Sequence, residues 1–265
     1  LKRLTGKGGG HKQAGAGRDP KRYDTEKQKA HSQNKKKRLT LAANTKTHQE
    51  ILYYLAENDP STDVRRAVAE NISTPLQAAR ILAEDEDADV RMALAERLLA
   101  LLPDLSREEH SHLYAFAVQA LSTLALDEVL KVRIALAETL KDHAHAPPDL
   151  AAQLARDLER RVSEPVLRFC VALRDADLLD ILSEHPESWA VQAIAARAHV
   201  SGDVSKAVID TGDVAAGEIL IANEGAEITN ELLEEIIEKA RRTPEWHRSV
   251  AARKNLPPEL AQELA

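Results

Sequence analysis

Four acidic residues, Asp85, Asp87, Asp89 and Glu96, stand at positions 1, 3, 5 and 12 of one window, the spacing with which calcium loops present oxygen ligands. Position 6 of that window is Val90, not the glycine that permits the sharp turn, and Val90 opens a helical phrase. A solvated acidic turn is therefore expected. His110 with His112, and His143 with His145, form His-x-His pairs, and imidazoles are common zinc ligands. Residues two apart on a helix point about 200° away from each other, so the first pair is a poor chelate. The second lies in a loop before Pro147 and has no further His or Cys at ligand spacing. Cys170, the only cysteine, falls beside Phe169 on a stripe with Val166 and Leu173, where a small inert hydrophobe is expected. The Gly6-Lys7-Gly8-Gly9-Gly10 run lacks the spacing and the Ser or Thr of a phosphate-binding loop. No metal, no cofactor and no catalytic residue is expected, and the chain does not read as an enzyme.

The arginines carry a different kind of pattern. Asp63-Val64-Arg65-Arg66-Ala67-Val68-Ala69-Glu70 returns as Asp89-Val90-Arg91-Met92-Ala93-Leu94-Ala95-Glu96, and again as Lys131-Val132-Arg133-Ile134-Ala135-Leu136-Ala137-Glu138. Arg65, Arg91 and Arg133 share one position and would form a row beside Asp63 and Asp89, a hydrogen-bonded ladder between stacked units. Trp189 and Trp246 each precede a helical stripe and are expected to anchor junctions between units.

Elements that could hold such a row must be helices. Val90, Ala93, Leu94, Leu98 and Leu101 follow helical spacing, as do Val132, Ala135, Leu136 and Leu140, and no segment alternates as a strand would. Asn44 and Thr47 recur 27 residues later as Asn71 and Thr74, with Thr74 and Pro75 placed to start a helix running to about Ala83. Asp89 is placed to cap the helix after it. An extra helix fits at about Arg107 to Ala125, with Leu113, Phe116, Ala117 and Ala120 on one side. Pro103, Pro165 and Gly202 are among the expected helix ends. The fold class is all-α: an α-solenoid of stacked helix pairs with irregular repeats.

Aromatic residues make up 3% of the chain, so small aliphatic side chains must fill the interior. A net charge of −7 conceals an asymmetry: residues 1 to 38 carry 13 basic against 3 acidic groups, leaving 23 against 40 for the rest. Residues 1–38 are glycine- and lysine-rich with few apolar anchors and read as a disordered arm, with a nascent helix from Thr25 to Lys37. Residues 39–265 read as the repeat domain, with a subdivision near 145–165. Lys35, Lys36, Lys37 and Arg38 are the candidate contacts to a polyanion, nucleic acid or an anionic surface, without base readout. No apolar stretch reaches the ~20 residues of a membrane span. The basic start has no apolar run after it and does not read as a secretory signal, and one cysteine suits a reducing compartment, so a cytoplasmic location is expected.

Beyond these general features, the Asp-Val-Arg-x-Ala phrase resembles HEAT-like repeats. Over residues 160 to 265, Pro165-Val166-Leu167, Asp177-Leu178-Leu179, Ala193-Ile194-Ala195-Ala196-Arg197, Gly212-Asp213, Leu220-Ile221-Ala222-Asn223-Glu224-Gly225 and Arg253-Lys254-Asn255-Leu256-Pro257 resemble a bacterial, mainly alphaproteobacterial, family known as domain of unknown function 2336. That resemblance implies a helical repeat fold and assigns no activity or catalytic residue. The expected function is a non-enzymatic scaffold that binds a protein partner. The alternative is a nucleic-acid-associated protein contacting polyanions through its basic arm.

Overall fold

Polar caps and apolar spacing divide the chain into short helices. The structure, a computed structural model, describes residues 20–105 and 112–253. In chain order its α-helices are α1 (Pro20–Ala30), α2 (Lys35–Ala43), α3 (Gln49–Asn58), α4 (Thr62–Glu70), α5 (Ala79–Ala83), α6 (Ala88–Leu105), α7 (His112–Leu124) and α8 (Leu130–Leu140). They continue as α9 (Pro148–Ala155), α10 (Arg160–Phe169), α11 (Asp175–Ser183), α12 (Ser188–Ala195), α13 (Gly202–Asp210), α14 (Val214–Ala222), α15 (Asn230–Ala240) and α16 (His247–Ala251). No strand occurs among the described residues; an isolated bridge joins Val200 and Ala226.

Packing sorts these helices into two rows. Each even-numbered helix packs on the next even one, from α2 against α4 through to α14 against α16. In the second row α1 packs on α3, α3 on α5, α5 on α7 and α7 on α9, and further on α11 packs on α13. Short amphipathic helices are marginal alone, so the shared interior supplies their stability. Val64, Val90 and Val132, the first apolar residues of the repeated phrase, are each 0% exposed in that interior. The even row runs through 145–165 without a break, with α8 packed on α10.

Several local expectations are corrected. The nascent helix expected from Thr25 to Lys37 is two helices: α1 and α2 are separated by a turn over 31–34, and Asn34 caps α2 by accepting from the Lys36 N–H. Ala30 and Leu41 anchor them in the core despite the lysine-rich surface. Residues 1–19 and the remainder of the proposed Arg107-to-Ala125 helix before His112 lie outside the described residues. Thr74 does not cap the start of a helix; its hydroxyl donates to the Val68 carbonyl in the last turn of α4, and Pro75 leads into a 3-10 turn over Leu76–Ala78 before α5. Asp87, not Asp89, accepts at the start of α6, from the Asp89 N–H. α6 continues past Pro103 and α10 past Pro165, because burial of their apolar faces outweighs one missing donor each. Leu113 and Phe116 face solvent while Ala117, Ala120, Leu121 and Leu124 are buried, so the inward stripe of α7 lies one position further round. Phe169 is likewise half-exposed, with Lys141 and Arg168 over its ring, whereas Val166, Cys170 and Leu173 are buried.

Candidate interaction surface

Along the turns that join each odd helix to the following even one, the repeated arginines are tied to aspartates. Arg65 Nε and Nη2 donate to Asp85 at 2.7 and 3.1 Å, while its Nη1 reaches back to the Asp59 carbonyl at 3.0 Å. Arg91 repeats this arrangement, with Nη2 at 3.0 Å from Asp127 and Nη1 on the Asp85 carbonyl. Arg133 does so with Asp157 at 2.7 Å and the Asp127 carbonyl at 2.6 Å. A fourth rung precedes them: Arg38 Nε lies 2.6 Å from Asp59 and Nη1 2.7 Å from the Ser32 carbonyl.

Each aspartate before Asp157 therefore serves two units. Its carboxylate takes a forked pair from the preceding arginine and the backbone N–H two residues on, as Asp85 does from Asp87, and its carbonyl takes the next arginine. Forked guanidinium–carboxylate pairs hold both groups in one plane. The Asp85 hydrogen bond raises the Arg65 pKa further above its ordinary value, although burial opposes this. The series ends at Asp157, since the position six residues on is Ser163, whose hydroxyl donates to the Glu159 carbonyl instead.

Asp63 and Asp89, expected as the arginines' partners, belong to an outer set. Lys35 pairs with Asp63, and Lys131 with Asp89 at 2.7 Å. These lysines hold the Asp63 and Asp89 carboxyls below their ordinary pKa. They are surface pairs, and Asp85 and Asp89 turn to different cations, so the calcium-like spacing does not converge on one point. Of the basic quartet, Arg38 is buried on Asp59 and Lys35 is paired, while Lys36 and Lys37 remain exposed.

A second set of polar side chains ties helix ends to the next unit. Asn71 donates to the Ala42 and Asn44 carbonyls at the end of α2, and Arg97 to the Asn71 and Thr74 carbonyls beyond α4. Arg197 caps the end of α10 through Leu167 and Cys170, Asn223 caps α12 through Ala195 and Arg197, and Arg253 caps α14 through Ile221 and Ala226. Burial pushes the Arg97 pKa down to about 10, and pushes the Cys170 thiol up, away from the thiolate a nucleophile needs. His143 and His145 sit in the turn between α8 and α9, and His110 lies outside the described residues.

At the first pair, Glu26 of α1 ties the helix down. It accepts from Arg22 at 2.9 Å and from the His48 N–H at 3.0 Å, with His48 Nδ1 at 2.8 Å. Burial pushes the Glu26 carboxyl up, but these His48 and Arg22 contacts outweigh it and leave the pKa below 4.5. A lowered carboxyl pKa adds stability at higher pH that is lost as pH falls through the folded value. The docking of α1 is therefore expected to loosen on acidification below about pH 4.5, read as faster hydrogen exchange in α1 than in α8. In Glu26→Gln that extra pH dependence should be absent; an identical profile in the variant would remove Glu26 as the cause.

The turns that carry the rungs also carry exposed apolar residues. Leu126 is 74% and Leu158 98% exposed, and they adjoin the two aspartates, Asp127 and Asp157, that Arg133 joins. Val129 lies on the same edge.

Sequence reasoning found the arginines; as their partners it missed Asp157, which precedes no repeated arginine, and Asp59, Asp85 and Asp127. The signal was present: an aspartate stands six residues before each repeated arginine, at 59, 85 and 127. Nothing local marks Arg97, Arg197, Asn223 or Arg253 as caps, because the carbonyls they serve lie 23 to 32 residues earlier.

Two rows of helices joined by cross-unit hydrogen bonds make the described residues an all-helical protein. Residues 162–265 match the family described as an uncharacterised protein conserved in bacteria (DUF2336). That segment begins just beyond Asp157, where the arginine–aspartate rungs stop and the helix-end caps continue. No curated protein and no solved structure shows a significant match to the chain. None of the helices in the described residues is long and apolar enough to cross a membrane.

Proposed function

We propose that the chain is a HEAT-like α-solenoid acting as a non-enzymatic scaffold for a protein partner in a reducing, cytoplasmic compartment. The observation that carries the reading is the in-register series of rungs from Arg38 to Asp157, which couples successive helix pairs into one extended support. Such an array makes its contacts with its contour, since each unit touches only its neighbours. The edge formed by Leu126, Val129 and Leu158, beside the acidic Glu128 and Glu159, offers a partner apolar area at low cost in desolvation.

The test compares the full chain with Leu126→Glu/Leu158→Glu in quantitative affinity capture. Exposed positions leave folding intact, so the melting temperature should not change. A protein retained by the natural chain and depleted at least about tenfold by the double variant, a loss near 1.4 kcal/mol, supports the scaffold. Retention of the same proteins by both forms would overturn this edge as the contact surface, and capture of none above background would overturn the scaffold reading.

A further inference from the structure

We infer that the cleft between α1 and α2 binds the phosphodiester backbone of a nucleic acid without reading its sequence. This goes beyond the scaffold role and uses a different surface. The cleft encloses about 570 Å³ and is lined by Arg22, Lys29, Lys37 and Lys46, with the Thr25 and Thr40 hydroxyls between them. Its carboxylate, Glu26, is buried and already occupied by Arg22 and His48. Arg22 also donates to the Lys46 carbonyl, which fixes one wall of the cleft against α1. Lys29, Lys37 and Lys46 are exposed, and among the described residues their ammonium groups form no ion pair. Lys35 and Arg38 are different, since Asp63 and Asp59 neutralise them.

Three unneutralised cations, on α1, on α2 and in the turn after α2, match an anion with charges spread along its length better than a single small anion. The rest of the chain strengthens the preference. From residue 39 onward acidic groups outnumber basic ones 40 to 23, so a polyanion is repelled by the body and directed to this end. Among the described residues, neither α1 nor α2 exposes a large apolar side chain, and a helix that lies in a bilayer interface needs an apolar face. Two nearby aromatic groups are engaged: the Tyr23 ring stands edge-on to His48, 5.4 Å between centroids, and the Tyr54 hydroxyl lies 3.0 Å from His31. Neither ring is a free stacking platform for a base, so among the described residues phosphate contact dominates.

The probe is a fluorescein-labelled duplex of about 20 base pairs, titrated with the full chain at several salt concentrations. Three phosphate contacts give a slope of about −3 for log affinity against log salt. Lys29→Glu/Lys37→Glu/Lys46→Glu should weaken binding at least about tenfold at low salt and flatten the slope by about 3, with unchanged circular dichroism. If that variant does not fold, Lys29→Gln/Lys37→Gln/Lys46→Gln serves, with a smaller loss in the same direction. Undiminished binding by a folded variant would overturn the cleft. Vesicles containing phosphatidylserine that sediment the protein, with no duplex bound, would overturn it in favour of a lipid surface. Polyglutamate binding as tightly as the duplex would overturn the nucleic-acid assignment.

Discussion

Arg91→Ala is expected to destabilise the folded chain by about 3–5 kcal/mol, the cost of removing one partner of a buried ion pair. The side chains of Arg91 and Asp127 are 11% and 6% exposed, so the stranded carboxylate cannot recover full hydration. Two acceptors lose the guanidinium together, the Asp85 carbonyl and the Asp127 carboxylate, which keeps the Val129 N–H. At about 2–4 °C per kcal/mol for a chain of this length, the melting temperature should fall by roughly 10 °C. Arg91→Met/Asp127→Leu should recover part of the loss, because no charge is then left buried. Lys131→Ala is the control: its contact with Asp89 is half-exposed on both sides, and the transition should hardly move. Thermal denaturation followed at 222 nm decides the matter. An unchanged transition in Arg91→Ala would mean that the rungs are ornaments of a stack held by apolar contacts alone.

Trp246→Ala should have an effect of similar size, about 3–5 kcal/mol, concentrated in the last described helices. The indole is 3% exposed, and its Nε1 donates to the Val214 carbonyl at 2.8 Å. It lies against Gly217 so closely that a Cβ there would come within 2.2 Å of the ring. Truncation thus leaves a cavity over α14 and takes the indole donor from the Val214 carbonyl. Gly217→Ala should act in the same direction by driving the ring out. Hydrogen exchange should show lost protection in α14 and α16 with little change in α4 and α6, as expected where each unit depends on its neighbours. Uniform loss across the chain would contradict that local dependence.

Much of the fold could be read from spacing. Val64, Val90 and Val132 were identified as core by their place in the phrase, and each is fully buried. The stripe through Val166, Cys170 and Leu173 was also legible, and Phe169 was misplaced because an aromatic ring next to the stripe can turn outward under Lys141 and Arg168. The lysine-rich segment from residue 20 was read as an arm with a nascent helix from Thr25 to Lys37, without the core anchorage, because composition counts charges. Ala30, Leu41 and the buried Glu26 and Arg38 supply its anchorage, the last two through His48 and Asp59 at the two ends of α3.

Sequence by itself determined that the chain is helical and that Arg65, Arg91 and Arg133 occupy equivalent places, because helical period and local repetition are written within a few residues. Only the tertiary structure decided which acid each arginine meets, and which lysines stay unneutralised. An arginine side chain reaches across to the neighbouring unit, so Asp85, Asp127 and Asp157 become partners from 20, 36 and 24 residues away. Those distances along the chain are set by turns and by the helix inserted between Arg91 and Asp127, and stacking alone converts them into contact.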